Sequence, residues 1–283
     1  MPTILDKFLL VCCLLFSLAT LNGCATLDEY IGSGSSTKDE DYVGWNAEKF
    51  RTEAKSAVES GNYDKASKIY EALEARYPFD VAAHQTLLDS AYAYYKNSDP
   101  EAALAAADRF IKTYPREPHI DYAYYLKGLI NYNRDFSFID RFLPSDPSQR
   151  DQVYANDALE NFAELMRRFP KSQYVADAQL RSVALRNTLS MHEIHVARYY
   201  IKREAYIAAV NRAKNVIEKY PRSTAIPYAL DILKDAYTKL NMPQLASDAK
   251  RIYAQNYPNG TPSQEEADLT VSQELWNLIG FDK

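Results

Sequence analysis

An all-α fold, a solenoid of five helical hairpins, is predicted by three observations. Aromatic-proline pairs stand at Tyr77-Pro78, Tyr114-Pro115, Phe169-Pro170, Tyr220-Pro221 and Tyr257-Pro258. Twelve residues before each proline sits an alanine: Ala66, Ala103, Ala158, Ala209 and Ala246. From Asn46 onward the apolar residues recur at helical spacing, with turn signals about every fifteen to twenty residues and almost no alternating strand pattern.

The prolines are 37, 55, 51 and 37 residues apart. A 34-residue period with small residues at close helix contacts, an aromatic packing position and a closing proline marks the tetratricopeptide type. Alanine lets two helix backbones approach, and proline, which cannot continue a helix, turns the chain into the next one.

Composition narrows the rest. With 47% hydrophobic residues and only 8 glycines among 283 residues, the chain as a whole is neither disordered nor low-complexity. The net charge of -5 gives no global field favouring nucleic acid or an anionic membrane surface. The 23 tyrosines suit helix contacts with one wet edge, and they equally suit recognition of an extended peptide. Cys12, Cys13 and Cys24 all lie near the N-terminus, so the body holds no cysteine for a disulfide framework, metal cluster or thiol nucleophile.

Residues 1–23 read as a lipoprotein signal peptide. The apolar run from Phe8 to Leu18 is too short for a permanent membrane span and fits a secretory core segment. Leu21-Asn22-Gly23-Cys24 follows and resembles a bacterial lipobox, with Cys24 as the lipidated residue. Several acyl chains on Cys24 would anchor the mature chain stably without a span. Ala25 after the cysteine resembles the signal for an outer-membrane destination. Residues 24–44 then form the lipidated cysteine and a flexible tether rich in Gly, Ser, Thr, Lys and Asp.

Residues 45–259 hold the five hairpins. The first pairs a helix carrying Phe50 and Ala54 with one carrying Ala66 and Tyr70, across a Gly61-Asn62 turn. The second pairs Gln85 to Lys96 with Pro100 to Thr113, where Pro100 suits a first helical position. The third opens with Ile120 to Tyr132 and has Gly128 in place of the contact alanine. Between Gly128 and Pro170 lie 42 residues, where Ala91 and Pro115 of the second unit are 24 apart. The excess, at Asn133 to Asp151, carries Phe136, Phe138, Ile139, Phe142 and Leu143 among arginines and aspartates. Such a loop is either a binding contact or a cover for the repeat core. The fourth unit has one long helix, Gln173 to about Lys202, before Glu204 to Lys219; the fifth, Ala225 to Leu240 and Pro243 to Asn256, is regular again. Residues 260–283 are a C-terminal extension in which Ser263 to Ile279 reads as a capping helix or a partner-binding tail.

Signs of chemistry are sparse. His192-Glu193-Ile194-His195 places two imidazoles at i and i+3, not at the i and i+4 spacing of zinc-protease helices, and no third ligand is visible. Helix-surface or interface histidines are the ordinary alternative. No glycine-rich phosphate loop, nucleophile elbow or paired catalytic carboxylate stands out, so an enzyme is not expected, nor is a cofactor or metal.

Several segments are more specific than the repeat frame. They are Arg76-Tyr77-Pro78-Phe79, Ala91-Tyr92-Ala93-Tyr94-Tyr95-Lys96-Asn97, Asp108-Arg109-Phe110-Ile111, Ile120-Asp121-Tyr122 with Gly128-Leu129, Ser172-Gln173-Tyr174, Val196-Ala197-Arg198-Tyr199-Tyr200 and Asn211-Arg212. Together they resemble the BamD family, lipoproteins of the outer-membrane β-barrel assembly machinery, over most of the mature chain. The resemblance implies a non-enzymatic scaffold at the periplasmic face of the outer membrane. Its C-terminal repeats would dock a POTRA domain of the barrel component BamA, and its N-terminal repeats would face other lipoproteins and unfolded outer-membrane proteins. Arg212 matches the family's Asn-Arg motif and is the candidate for the BamA contact, with a solvated surface arginine as the alternative. Tyr63, Tyr92, Tyr94, Tyr95 and Tyr122 are the candidates for substrate contact, some of them alternatively core. Two rival readings are a repeat lipoprotein for pilus secretin or cell-wall assembly, and a peptidoglycan-acting enzyme.

Overall fold

In the computed structural model, residues 42–134 and 146–261 are described; the signal peptide, Cys24, the tether, the aromatic part of the third-hairpin insert and the expected C-terminal helix lie outside them. The chain divides into a unit ending at Phe50 and a unit beginning at Arg51. In the first, Tyr42, Trp45 and the fully buried Phe50 form a three-ring cluster with centroids 5.0–5.3 Å apart.

The described residues contain ten α-helices and no strand. They are α1 (Ala47–Glu59), α2 (Tyr63–Arg76), α3 (Ala83–Lys96), α4 (Pro100–Thr113), α5 (Ile120–Asn133), α6 (Val153–Arg168), α7 (Val175–Lys202), α8 (Tyr206–Lys219), α9 (Ile226–Lys239) and α10 (Pro243–Asn256). From α2 onward each helix packs on the next, and α9 also reaches α7, the pattern of a hairpin solenoid. The expected boundaries hold to within about two residues, the ordinary scatter of helix ends.

The hairpin turns share one backbone device. Seventeen residues before the closing proline, Gly61, Ser98, Glu204 and Asn241 all adopt positive φ, at 74°, 60°, 58° and 57°. The amide after each donates back to a carbonyl of the preceding helix: Asn62 to Ala57, Asp99 to Tyr94, Ala205 to Tyr200 and Met242 to Tyr237, at 2.8–3.0 Å. This left-handed closure satisfies helix-end carbonyls and reverses the chain in a few residues. In the third hairpin Val153 occupies that position and already lies in α6, because the insert replaces the turn. Asn62 and Asp99 then cap α2 and α4 by accepting from the amides of Lys65 and Ala102, both at 3.1 Å.

All the frame alanines from Ala66 to Ala209 are fully buried, as are Ala54 and Ala91. Gly128 is buried against Phe162 of α6. At 28 residues α7 is twice the length of most of its neighbours and belongs to two cores. Ala178 and Leu185 join the core of the second and third hairpins. Met191, Ile194 and Ala197 join the core built by α8, α9 and α10. The long helix therefore links the two halves of the solenoid, which explains the absence of proline and glycine along it.

Candidate functional site: a tyrosine face and an arginine clamp

The first helices of successive hairpins carry their tyrosines at i and i+3, which puts pairs of rings on one helix face. On α3 these are Tyr92 and Tyr95, with ring centroids 6.4 Å apart; Tyr63 meets Tyr92 edge-on at 6.4 Å. On α5 they are Tyr122 and Tyr125, both against Tyr174 at the entry to α7, at 5.5 Å and 4.7 Å. The Tyr122 phenol is also near enough to those of Tyr92 and Tyr95 to be raised by them, so the rings form one face from the first hairpin to the entry of the fourth.

The hydroxyls are organised. Asn133 donates to the Tyr95 oxygen at 2.6 Å. Tyr125 donates to Asp177 Oδ2 at 2.6 Å, and Arg181 Nε donates to the same oxygen at 2.6 Å. The Arg181 guanidinium lies over the Tyr132 ring at 4.9 Å, and Lys96 lies over Tyr63 at 5.5 Å. Burial, with the Tyr92, Tyr174 and Tyr95 hydroxyls next, pushes the Tyr122 phenol well up, and burial does the same for Tyr92 and Tyr95. Asp89, in the same neighbourhood, has its carboxyl raised by burial. The phenols stay neutral donors at physiological pH, apolar over the ring and polar at the tip, a surface suited to aromatic side chains and exposed peptide groups.

All five substrate candidates are half-buried, being neither core nor free surface. Four of them, Tyr63, Tyr92, Tyr95 and Tyr122, come together on this face. Tyr94 does not: two residues beyond Tyr92, it turns to the opposite side of α3. There burial, then Glu71, Glu74 and Asp99, pushes its phenol up to about 12. Tyr125, Tyr174, Asp177 and Arg181 belong to the face although sequence reasoning did not single them out. The signals that could have found them were the i and i+3 spacing of Tyr122 and Tyr125 and the i and i+4 charge pair of Asp177 and Arg181.

Arg212, on α8, donates from Nη1 to both carboxylate oxygens of Glu193 on α7, at 3.1 and 3.3 Å. Its side chain is 43% accessible while that of Glu193 is 15% accessible. The carboxylate thus holds the guanidinium while the arginine side chain stays partly accessible to solvent.

His192 and His195 flank Glu193 on α7 and hold the returning end of the insert. His192 Nδ1 is 2.8 Å from the Ser148 carbonyl, and His195 Nε2 is 3.2 Å from Asp146 Oδ2. The short 3-10 turn Pro147–Gln149 is capped by Asp146 and packs on α7. Among the described residues no group of three or more His, Cys, Asp or Glu is placed to hold a metal ion. No described helix is long and apolar enough to cross a membrane.

Comparison with known proteins agrees with this architecture. The model of a family described as YfiO, outer membrane lipoprotein, matches residues 43–252. The outer membrane protein assembly factor BamD of Neisseria gonorrhoeae is 45% identical over 239 residues, 84% of this chain and 87% of that protein. The assembly factor of the same name from Xylella fastidiosa strain 9a5c is 36% identical, over 76% of this chain and 74% of its own length. That of Vibrio cholerae is 35% identical, over 72% and 85%. The ten helices, the frame they share and these matches establish that the chain belongs to the YfiO family of outer membrane lipoproteins, to which the BamD assembly factors are its relatives.

Proposed function

We propose that this protein is a non-enzymatic assembly factor for outer-membrane proteins, held to the outer membrane at its periplasmic face by a lipidated Cys24. The tyrosine face, from the first hairpin to the entry of the fourth, receives unfolded outer-membrane substrates, and the exposed clamp at Arg212 docks a POTRA domain of the barrel component BamA. The observation that carries the substrate role is the continuous run of Tyr63, Tyr92, Tyr95, Tyr122, Tyr125 and Tyr174 across successive helices. Rings at this spacing offer aromatic pockets, and the phenols, Asp89 and Arg181 offer partners to the main chain of an extended segment ending in an aromatic residue. Arg212 supports the second role because Glu193 orients it and leaves it accessible, so a partner carboxylate meets a guanidinium with little freedom left to lose.

Depleting the protein in its host and measuring folded porins in the outer membrane tests the reading. Porin levels fall if it is right. Unchanged porins together with defective pilus secretin or cell-wall synthesis would replace it. Co-purification of BamA with an Arg212→Glu variant tests the docking role separately: loss is expected, and intact co-purification removes Arg212 from the interface.

A further inference from the structure

The last hairpin reverses the polarity of the repeat. Eleven and eight residues before the closing proline, the internal second helices carry Ser67 and Tyr70, Leu104 and Ala107, Leu159 and Phe162, Val210 and Ala213, all buried or half-buried. In α10 the same positions are Ser247 and Lys250, both exposed, and they line an open groove with Lys234 and Thr238 of α9. The opposite flank changes in the other sense. Thirteen and six residues before the proline, the internal helices carry Lys65 and Ala72, Ala102 and Arg109, Asp157 and Glu164, Ala208 and Asn215. In α10 these positions are Leu245 and Ile252, accessible to 45% and 40%, with Met242 one turn before Leu245 at 45%.

The chain also leaves α10 differently. After the four internal prolines the turn is made with Asp80, Glu117, Ser172 and Ser223, none of them at positive φ, whereas Gly260 stands at the same place with φ of 90°. Thr261 then returns to α10, its hydroxyl 2.6 Å from that of Tyr253. The segment beyond, outside the described residues, spaces Ala267, Val271, Leu275 and Leu278 at i, i+4, i+8 and i+11, one stripe of a helix. As a helix, 263–279 would be roughly 25 Å long against about 21 Å for α10, so the two match in length.

We propose that the C-terminal segment folds as an amphipathic helix on the Met242, Leu245 and Ile252 flank of α10, and that the polar Ser247-Lys250 side ends the solenoid. A sixth repeat helix packed in register would meet Lys234, Ser247 and Lys250 where its predecessors meet apolar side chains; the reversed flank offers the apolar surface instead. The occupant is this chain's own segment, because Gly260 and the Tyr253-Thr261 bond deliver it beside α10.

Amide hydrogen exchange on the full mature chain tests this. In the wild type, amides of 266–279 exchange at least about tenfold more slowly than in an unstructured peptide, independently of protein concentration. Leu245→Asp with Ile252→Asp abolishes that protection and leaves α7 and α8 unchanged, while Ser247→Ala with Lys250→Ala preserves it. Unprotected amides in the wild type overturn the proposal. So does protection that survives the aspartates, that is lost with the alanines, or that grows with concentration as contact with a second copy would require.

Discussion

Gly128 on α5 lies directly beneath the ring of Phe162 on α6, so close that a Cβ at Gly128 would overlap the ring edge. Phe162 is itself fully buried and has no room to withdraw. Where the first two hairpins carry Ala54 and Ala91, the ring of Phe162 here takes the space a Cβ would need, and only glycine remains. Gly128→Ala is expected to destabilise the protein by roughly 1–3 kcal/mol, the usual cost of overpacking. Thermal unfolding of the soluble mature chain checks it, with Gly128→Ala combined with Phe162→Leu recovering part of the loss.

Glycine should help where the frame forces a side chain into the left-handed region. Ser98 and Glu204 hold φ near 60° with a Cβ, at a place where the first hairpin uses Gly61. Left-handed backbone costs a non-glycine residue about 1–2 kcal/mol, only partly offset by the greater unfolded freedom of glycine. Ser98→Gly and Glu204→Gly are therefore each expected to raise stability by roughly 0.5–1 kcal/mol in urea unfolding.

The histidine pair should act on the insert and on nothing else. Burial alone would raise the Asp146 pKa, but hydrogen bonds from Ser148 and Gln149 and the nearby His195 hold it below the ordinary carboxylate range. A carboxyl depressed in the folded state contributes stability above its unfolded pKa, and that contribution is lost as pH falls through the folded value. His192→Ala with His195→Ala should speed amide exchange at Ser148 and Gln149 while the helices of the last two hairpins keep their protection.

Alkali should open the tyrosine face before it harms the last hairpin. The phenols of Tyr70, Tyr92, Tyr94, Tyr95, Tyr122, Tyr125 and Tyr132 are all raised, chiefly by burial. A raised folded pKa means stability fully present below the unfolded value of 10.0 and lost as pH climbs through the folded values. Unfolding followed by circular dichroism is expected to set in above about pH 10, with amides of α3 and α5 losing protection ahead of α9.

The five hairpins could be read from Ala66 and Pro78 and their four copies because that spacing is a direct consequence of helix geometry and proline stereochemistry. The length of α7 could be read from the lack of any breaker between Gln173 and Lys202. Its dual membership in two cores could not, since that depends on which residues meet across hairpins. For the same reason Tyr94 passed for a neighbour of Tyr92 and Tyr95 in a run of like residues, although a helix turns about 100° per residue and carries it to the other side. His192 and His195 drew attention as metal ligands; their actual partners, Ser148 and Asp146, are more than forty residues away in sequence. The pairing of Arg212 with Glu193 likewise needed the fold, because nothing in the Asn211-Arg212 dipeptide names its carboxylate.

The central claim is that the tyrosine face, not the opposite side of α3, receives unfolded substrate. Equilibrium binding of a fluorescent peptide carrying the C-terminal aromatic strand of an outer-membrane β-barrel protein, titrated with the mature chain, tests it most directly. Tyr92→Ala with Tyr122→Ala is expected to weaken binding at least about tenfold, or about 1.4 kcal/mol, and Tyr94→Ala by less than about twofold. Equal affinity for all three proteins, or a greater loss with Tyr94→Ala than with the pair, would contradict the account.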